Sequence, residues 1–209
     1  MHHVSEKEIC MEIDAARVKE LRNQTGAPML DCRDALKSSA NDIEKAIIYL
    51  REKGIASAQK KMSRETKEGK IVSYIHPGDK IGVMVEVNCE TDFVAKSPDF
   101  VAFTKDLAMH IAAASPRFLQ REDVPPELLE QERQILKTQA QNLNKPEKVM
   151  EKIIEGRLDK FYADVCFLEQ PFVKDDKMSI RDYIKSAIAK FGENVSVSRF
   201  CRFQLGEKI

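Results

Sequence analysis

The sequence predicts an α+β fold, with a small three-helix domain, a linker, and a core in which helices pack on a small antiparallel sheet. Three observations carry this prediction. Helical periodicity occupies the first 55 residues, a charged stretch with almost no apolar periodicity follows, and two apolar runs then flank a Pro-Gly turn. With 209 residues, of which 43% are apolar, the chain has room for a small domain beside a larger one.

The amino-terminal domain, residues 1–55, is predicted to contain three short helices. The first helix follows Asp14, and the sequence Thr-Gly-Ala-Pro at residues 25–28 breaks it. Asn41 or Asp42 can cap the third helix, whose apolar stripe ends before Gly54. The apolar positions of the three helices are, in chain order, Ala15, Val18 and Leu21; Met29, Leu30, Ala35 and Leu36; and Ile43, Ala46, Ile47 and Leu50.

Residues 56–69 are predicted to form a charged linker, and residues 70–209 the α+β core. Glu65 and Glu68 interrupt the basic residues of the linker, which favours a solvated connector over an RNA contact. The core opens with a β-hairpin, because the apolar runs 70–75 and 80–87 lie on either side of the turn sequence His-Pro-Gly-Asp.

The second strand of this hairpin leads directly into a helix start. Thr91 is suited to cap that helix, and Asp92 adds negative charge where the helix dipole favours it. Phe93 then falls within the first turn, where a side chain can overhang the end of the sheet. Local chemistry alone makes Asp92 helix electrostatics and Phe93 a core residue, so any functional role rests on further observations.

The rest of the core is predicted to be mainly helical. Ser97 and Pro98 start a helix that runs to about Ala114, and its core stripe is Phe100, Phe103, Leu107 and Ile111. Two charged helices with a break at residues 144–146 form an antiparallel hairpin over about residues 126–166. A helix over residues 179–190 and a strand over residues 195–205 complete the chain.

Composition argues for a protein partner. The 34 basic and 34 acidic residues cancel, so no bulk attraction to nucleic acid or to an anionic membrane is expected. The five cysteines show no paired spacing, which excludes a typical zinc site, and no catalytic constellation or cofactor motif is present. We therefore expect no enzyme activity, no metal and no cofactor. Without a long apolar run or a signal pattern, a cytoplasmic location is expected.

Several motifs in one order resemble a known family. The run Cys-Glu-Thr-Asp-Phe-Val-Ala at residues 89–95 is similar to the signature of translation elongation factor Ts, the nucleotide exchange factor of the GTPase Tu. Residues 18–22, 25–32, 46–54, 106–113 and 170–173 also resemble this family, so the likeness extends from Ile13 to Gly206. One mild departure is Pro28-Met29-Leu30, where the family often has Gly-Met-Met.

The resemblance implies roles for specific residues. The amino-terminal helices would form a ubiquitin-associated-like domain that docks on the GTPase, with Val18, Leu21, Arg22 and Met29 as contacts. A further contact would come from His110. The segment that disturbs the Mg²⁺ and phosphate-binding loop of the GTPase, and so promotes GDP release, would consist of Thr91, Asp92, Phe93 and Val94.

The chain also resembles the short form of the family, because it has one strand-helix unit where longer members have two related halves. A single half would leave a sheet edge or an apolar face uncovered, so a homodimer is expected. Cys201 on the last strand is a candidate dimer contact, and a disulfide between two copies is one possibility. The alternative function is a binding module only, such as a ubiquitin-associated-like adaptor or a ribosome-associated protein.

Overall fold

The computed structural model describes residues 13–141 and 146–207. Its first three helices are α1 (Ala15–Thr25), α2 (Met29–Ser38) and α3 (Ile43–Lys61). The Asp14 and Asp42 side chains cap α1 and α3, and Gly26 ends α1 in the left-handed conformation at φ 67°. The three predicted helices are therefore present, while their likeness to ubiquitin-associated domains stays a prediction.

These helices surround a small core of their own, which contains Val18, Leu21, Cys32, Ala35, Leu36 and Ala46. The predicted apolar face of α2 is wrong at its first two positions. Met29 and Leu30 are exposed, whereas the Cys32 side chain, about one turn later, is fully buried. The face of α2 that meets α1 and α3 therefore begins one turn later than the apolar pattern suggests.

The prediction of a linker over residues 56–69 is wrong for residues 56–61, which belong to α3. Helix α3 continues to Lys61, because one glycine does not end a helix and residues 56–61 include good helix formers. Its last turns also gain tertiary contacts, since Ala58 is buried in the second core of the protein. Only residues 62–67 remain between α3 and the first strand.

The second core lies beneath a three-stranded sheet. The elements are β1 (Glu68–Ile75), β2 (Ile81–Cys89), α4 (Asp92–Lys96), α5 (Pro98–Ala114), α6 (Pro126–Gln141), α7 (Glu147–Val165), β3 (Pro171–Phe172), β4 (Asp175–Ser179), α8 (Ile180–Phe191) and β5 (Val195–Gln204). The strand order is β1-β2-β5, and both pairs are antiparallel. The predicted hairpin, the helix to Ala114, the helix near 179–190 and the last strand are confirmed. The small β3-β4 ribbon was not predicted.

One face of this sheet is covered and the other is open. Val83, Val85 and Val87 of β2 point inward, and the inward side chains of the core include Phe100, Leu107, Ile111, Ile180 and Ile188 from α5 and α8. The outward positions follow from the register, which aligns Ser73, Met84 and Cys201 across the three strands. The exposed apolar side chains on this outer face are Ile71, Ile75, Met84 and Phe203.

The helical hairpin is confirmed as a pair, since α6 packs along α7. Leu136 and Ala140 of α6 and Leu158 of α7 are buried. At its base, the Arg121 guanidinium donates to the Asp159 carboxylate at 2.9 Å and to the Glu169 carboxylate. The predicted break at residues 144–146 lies partly outside the described residues. The hairpin is thus tied at its base to the segment that precedes β3.

Candidate functional site

The candidate site is the short helix α4, which is capped at its start and is followed at once by a second cap. Val94 N donates to the Thr91 hydroxyl at 3.4 Å, and Ser97 ends α4 while its hydroxyl accepts from Phe100 N to start α5. The Cys89 thiol donates to the Thr91 carbonyl at 3.2 Å. These local bonds leave α4 little freedom to rotate between β2 and α5.

Phe93 projects from this helix into solvent. Its side chain is 83% exposed, the largest exposed fraction among the large apolar residues that the structure describes. Its neighbour Ala95 is buried, and Val94 packs against the second core. Helix α4 therefore rests on the core through Val94 and Ala95, while Phe93 points away from it.

Asp92 lies beside Phe93 and forms an ion pair along the same helix. The Lys96 ammonium donates to the Asp92 carboxylate at 2.6 Å, and this hydrogen bond lowers the pKa of Asp92 while it raises the pKa of Lys96. Both side chains are open to water, where such pairs contribute little to stability. The carboxylate stays ionised at neutral pH and can exchange Lys96 for a group on a partner.

Thr91 has one contact that the sequence did not reveal. Its backbone N–H and its hydroxyl both donate to the Glu193 carboxylate, at 3.0 and 2.7 Å. Glu193 lies between α8 and β5, so 102 positions of chain separate it from Thr91. No local pattern marks such a contact, because only the antiparallel pairing of β2 and β5 brings the two residues together.

His110 occupies the interior, with no exposed surface. Val173 N donates to Nδ1 at 3.3 Å, so Nε2 carries the proton and donates to the Gln170 side-chain oxygen Oε1 at 3.0 Å. Burial lowers the pKa of His110, and the Gln170 contact opposes that shift only in part. The imidazole links α5 to Gln170 and Val173, on either side of β3. The expected partner contact through His110 stays a prediction, for which this conformation offers no exposed surface.

The amino-acid sequence is similar to those of known proteins over nearly its whole length. A family model described as Elongation factor TS matches residues 7–207. The chain belongs to the elongation factor Ts family. It is 55% identical to elongation factor Ts of Koribacter versatilis over 197 residues, which cover 94% of this chain and 90% of that protein. The identity is also 55% with the Geobacter sulfurreducens and Thermodesulfovibrio yellowstonii proteins, where 91% and 98% of the relative are covered.

These relatives share nearly the whole length of the chain, which is consistent with the short form of elongation factor Ts. Their coverage includes α4 and the tip formed by Asp92 and Phe93. The segment 89–95, which resembles the family signature, therefore contains the most exposed large apolar residue of the described chain, at a point where the backbone is held by caps on both sides.

Of the four residues of the amino-terminal unit that were expected to contact a partner, two are buried and two are exposed. Val18 and Leu21 are core residues of the three-helix unit, with 6% and 0% of their surfaces exposed, so their expected partner contacts stay predictions that this conformation does not favour. Arg22 and Met29 are exposed, and their role as partner contacts stays a prediction. Leu30 and Ile48 were not among the candidates, although 65% and 57% of their surfaces are exposed. A docking surface on this unit of the elongation factor Ts chain would use the exposed set.

Metal, membrane and thiol chemistry can be stated for residues 13–141 and 146–207. They contain no cluster of three or more potential metal ligands, and no helix long and apolar enough to cross a membrane. Cys32, Cys89 and Cys166 are buried free thiols, and burial raises the pKa of Cys166 to about 11. Cys201 is exposed, and Cys10 lies outside the described residues.

Proposed function

We propose that this protein promotes the release of GDP from elongation factor Tu, by inserting Asp92 and Phe93 beside the Mg²⁺ and phosphate-binding loop of the GTPase. The observation that carries the proposal is the 83% exposure of Phe93 on a helix that is capped at both ends. The protein acts as an exchange factor, not as an enzyme that makes or breaks covalent bonds. We expect it in the cytoplasm, where translation takes place.

The exchange reaction follows from linkage. A GTPase holds GDP through a phosphate-binding loop and Mg²⁺, so a protein that deforms this region weakens the nucleotide. By reciprocity, bound GDP weakens the exchange factor by the same factor. Binding of this protein to the empty GTPase therefore opposes binding of GDP, and chemistry on the nucleotide is not required.

Phe93 and Asp92 contribute in different ways. Phe93 is almost fully hydrated in the free protein, so its burial between partner helices would gain most of the transfer free energy of an aromatic side chain. Buried aromatic anchors typically lose about 2 to 4 kcal/mol of binding free energy on truncation to alanine. Asp92 supplies an ionised carboxylate that competes for the metal or for its ligands.

The amino-terminal unit is proposed to hold the GTPase while the tip acts. Its exposed side chains Arg22, Met29, Leu30 and Ile48 offer apolar and cationic contacts on one small domain. Helix α3 joins this unit to the core that carries α4, because its last turns pack against α8. Docking at one end would therefore raise the effective concentration of the tip at the nucleotide site.

The test is stopped-flow release of a fluorescent GDP analogue from elongation factor Tu. Phe93→Ala should slow the stimulated release by about thirtyfold to a thousandfold, as expected for losing an aromatic anchor. Asp92→Ala should also slow release, and Ile135→Ala on α6, which removes another exposed apolar side chain, should not. Circular dichroism checks that each variant is folded.

Wild-type release rates in the Asp92→Ala, Phe93→Ala double variant would exclude the tip as the active element. Binding of the wild-type protein to elongation factor Tu without faster release would favour the alternative of a non-catalytic adaptor. The same titration therefore separates the two functions.

We also propose that two copies associate through the outer face of the sheet. Ile71, Ile75, Met84 and Phe203 lie on this face and expose between 50% and 63% of their surfaces. Exposed apolar patches of this kind mark interaction sites, and a twofold axis lets one patch cover itself. Cys201 lies opposite Met84 in the same face, so it would approach the interface.

A further inference from the structure

The pairing of β2 with β5 continues past the end of the sheet through side chains. The last backbone pairs are Asn88 with Ser196 and Cys89 with Val195. Continued in the same register, Glu90 faces Asn194 and Thr91 faces Glu193. At each of these positions a glutamate carboxylate takes the place of a backbone carbonyl, since Glu90 accepts from Asn194 N at 2.5 Å and Glu193 accepts from Thr91 N at 3.0 Å.

This crossed pair of carboxylate bonds, which we call the glutamate clasp, joins the start of α4 to the segment between α8 and β5. Glu193 makes a second bond, because the Thr91 hydroxyl donates to it at 2.7 Å. With its hydrogen directed at Glu193, the hydroxyl keeps its lone pairs for the cap bond from Val94 N. Glu193 thus fixes both the backbone and the rotamer of the residue that starts α4.

The other half of the clasp is anchored in the interior. Asn194 is buried, and its amide donates to the Met62 and Arg64 carbonyls at 3.2 and 2.6 Å. Those carbonyls follow the end of α3, so Glu193 lies next to a residue that cannot shift without breaking bonds to another segment. On the other side of Glu193 in the chain, Gly192 ends α8 in the left-handed conformation, and its N–H donates to the Ile188 carbonyl.

In the described part of the chain, Glu193 makes no side-chain hydrogen bond or ion pair other than its bonds to Thr91. It forms no ion pair there, although most half-buried carboxylates have a cationic partner. Within the described residues, its side-chain hydrogen bonds go only to Thr91, whose neighbour is Asp92. Hydrogen bonds to an ionised acceptor are the strong ones, so a carboxylate used in this way holds Thr91 firmly.

We propose that Glu193 is a positioning residue for nucleotide exchange, acting through Thr91 to aim Asp92 and Phe93 at the GTPase. This inference rests on the proposed function of the tip. Without Glu193, α4 would keep its own cap but would lose the two bonds that orient that cap on the sheet. The Phe93 ring projects outward from α4, so a small rotation of the backbone at Thr91 would displace the ring by a larger distance.

The experiment measures stimulated GDP release from elongation factor Tu, loaded with a fluorescent GDP analogue, with Glu193→Ala, Glu193→Gln and the surface control Glu151→Gln. Glu193→Ala should slow release at least about tenfold, since misplacement by an ångström is costly in a preorganised site. Glu193→Gln should stay within about threefold of wild type, because an amide can accept from Thr91 N and donate to its hydroxyl. Glu151→Gln should match wild type.

A double-variant cycle with Phe93→Ala separates positioning from general destabilisation. If Glu193 acts through the tip, Glu193→Ala slows release strongly in the wild-type background and much less when Phe93 is already alanine, because only the contribution of Asp92 is left to lose. Should Glu193→Ala not fold, Glu193→Asp replaces it, because it keeps the charge and withdraws the carboxylate by one methylene.

The outcomes are distinct. Normal release with Glu193→Ala, or an equal loss in both backgrounds, overturns the positioning role while leaving the proposed function intact, provided that Phe93→Ala alone is slow. Normal release with Phe93→Ala overturns the proposed function and the positioning role together.

Discussion

At the scale of single residues, His110 shows how an imidazole can serve the fold while lying in a stretch that resembles a functional motif. Its ring has no exposed surface, and its neighbours Phe167 and Phe172 pack at centroid distances of 5.7 and 6.1 Å. A charged imidazolium is disfavoured in these surroundings, and Nδ1 must remain unprotonated to accept from Val173 N. The fold therefore selects the neutral ring.

This selection makes stability depend on pH. The pKa of His110 in the folded protein lies below its ordinary value of 6.5, so at higher pH both folded and unfolded chains carry the neutral ring. As pH falls below that value, the unfolded chain binds the proton and the folded protein resists it. Stability is therefore present above the ordinary pKa and is lost on acidification, by at most about 1.4 kcal/mol per pH unit for one proton.

Thermal melting between about pH 7.5 and about pH 5 measures this loss, since that range spans the titration of histidine. We expect His110→Gln to melt with a shallower pH dependence than wild type, whatever its absolute stability. His76→Gln, which replaces an exposed histidine in the β1-β2 turn, is the matched control. An unchanged slope in His110→Gln would contradict the neutral buried ring.

The solvent exposure of individual side chains was the property that the sequence predicted least well. Helical spacing places Val18 and Leu21 on one apolar face, and the structure buries both, whereas the family resemblance implies that they are partner contacts. Spacing also could not tell that Cys32 and not Met29 fills the core of the first domain, because a cysteine packs as well as a small apolar residue. Local chemistry favours a core position for Phe93, and only the resemblance to the family signature implies that it projects toward a partner; its side chain is 83% exposed.

At the scale of secondary structure, two helix-interior glycines have opposite surroundings. A Cβ at Gly54 of α3 would lie 3.1 Å from the Ala189 Cβ of α8, whereas a Cβ at Gly156 of α7 would meet nothing within 4 Å. The glycine of α3 thus permits a close approach of two helices. The glycine of α7 only adds freedom to the unfolded chain.

We expect Gly156→Ala to raise the free energy of unfolding by about 0.5 to 1 kcal/mol, the usual gain for this change in an exposed helix. Gly54→Ala should give no gain or a loss, because the new methyl group presses on Ala189. Urea denaturation of both variants measures the difference. Equal stabilisation by the two would show that α3 and α8 are not in tight contact.

The elements themselves were largely predictable, and the contacts between them were not. Alternation, turn residues and caps located the β1-β2 hairpin and the start of α5, all of which depend on neighbours in the chain. The end of α3 was misplaced because its last turns are stabilised by packing of Ala58 in the second core. The glutamate clasp escaped for the same reason, since a contact across 102 positions leaves no local periodicity.

At the scale of the whole molecule, the open face of the sheet decides the expected assembly. Phe203→Asp should convert a homodimer into a monomer in size-exclusion chromatography with light scattering, because a charge cannot be buried in a self-complementary apolar patch. Ile135→Asp on α6 tests whether any exposed apolar residue has this effect, and it should leave the dimer intact. A wild-type protein that is monomeric at all concentrations would contradict the proposed assembly.

The thiol chemistry of the dimer has its own test within this measurement. Under non-reducing conditions, any covalent dimer should disappear in Cys201→Ser, because the other described cysteines are buried and Cys201 alone among them is exposed. The non-covalent dimer should persist in that variant.

Helix α3 places Ala46 in the amino-terminal core and Ala58 in the core beneath the sheet. The two hydrophobic cores therefore share one continuous set of backbone hydrogen bonds, and melting of the helix in either core removes support from the other. A three-helix unit of this size is close to the lower limit for independent folding, so it gains cooperativity from the larger core to which it is joined. We therefore expect the two cores to unfold in one transition.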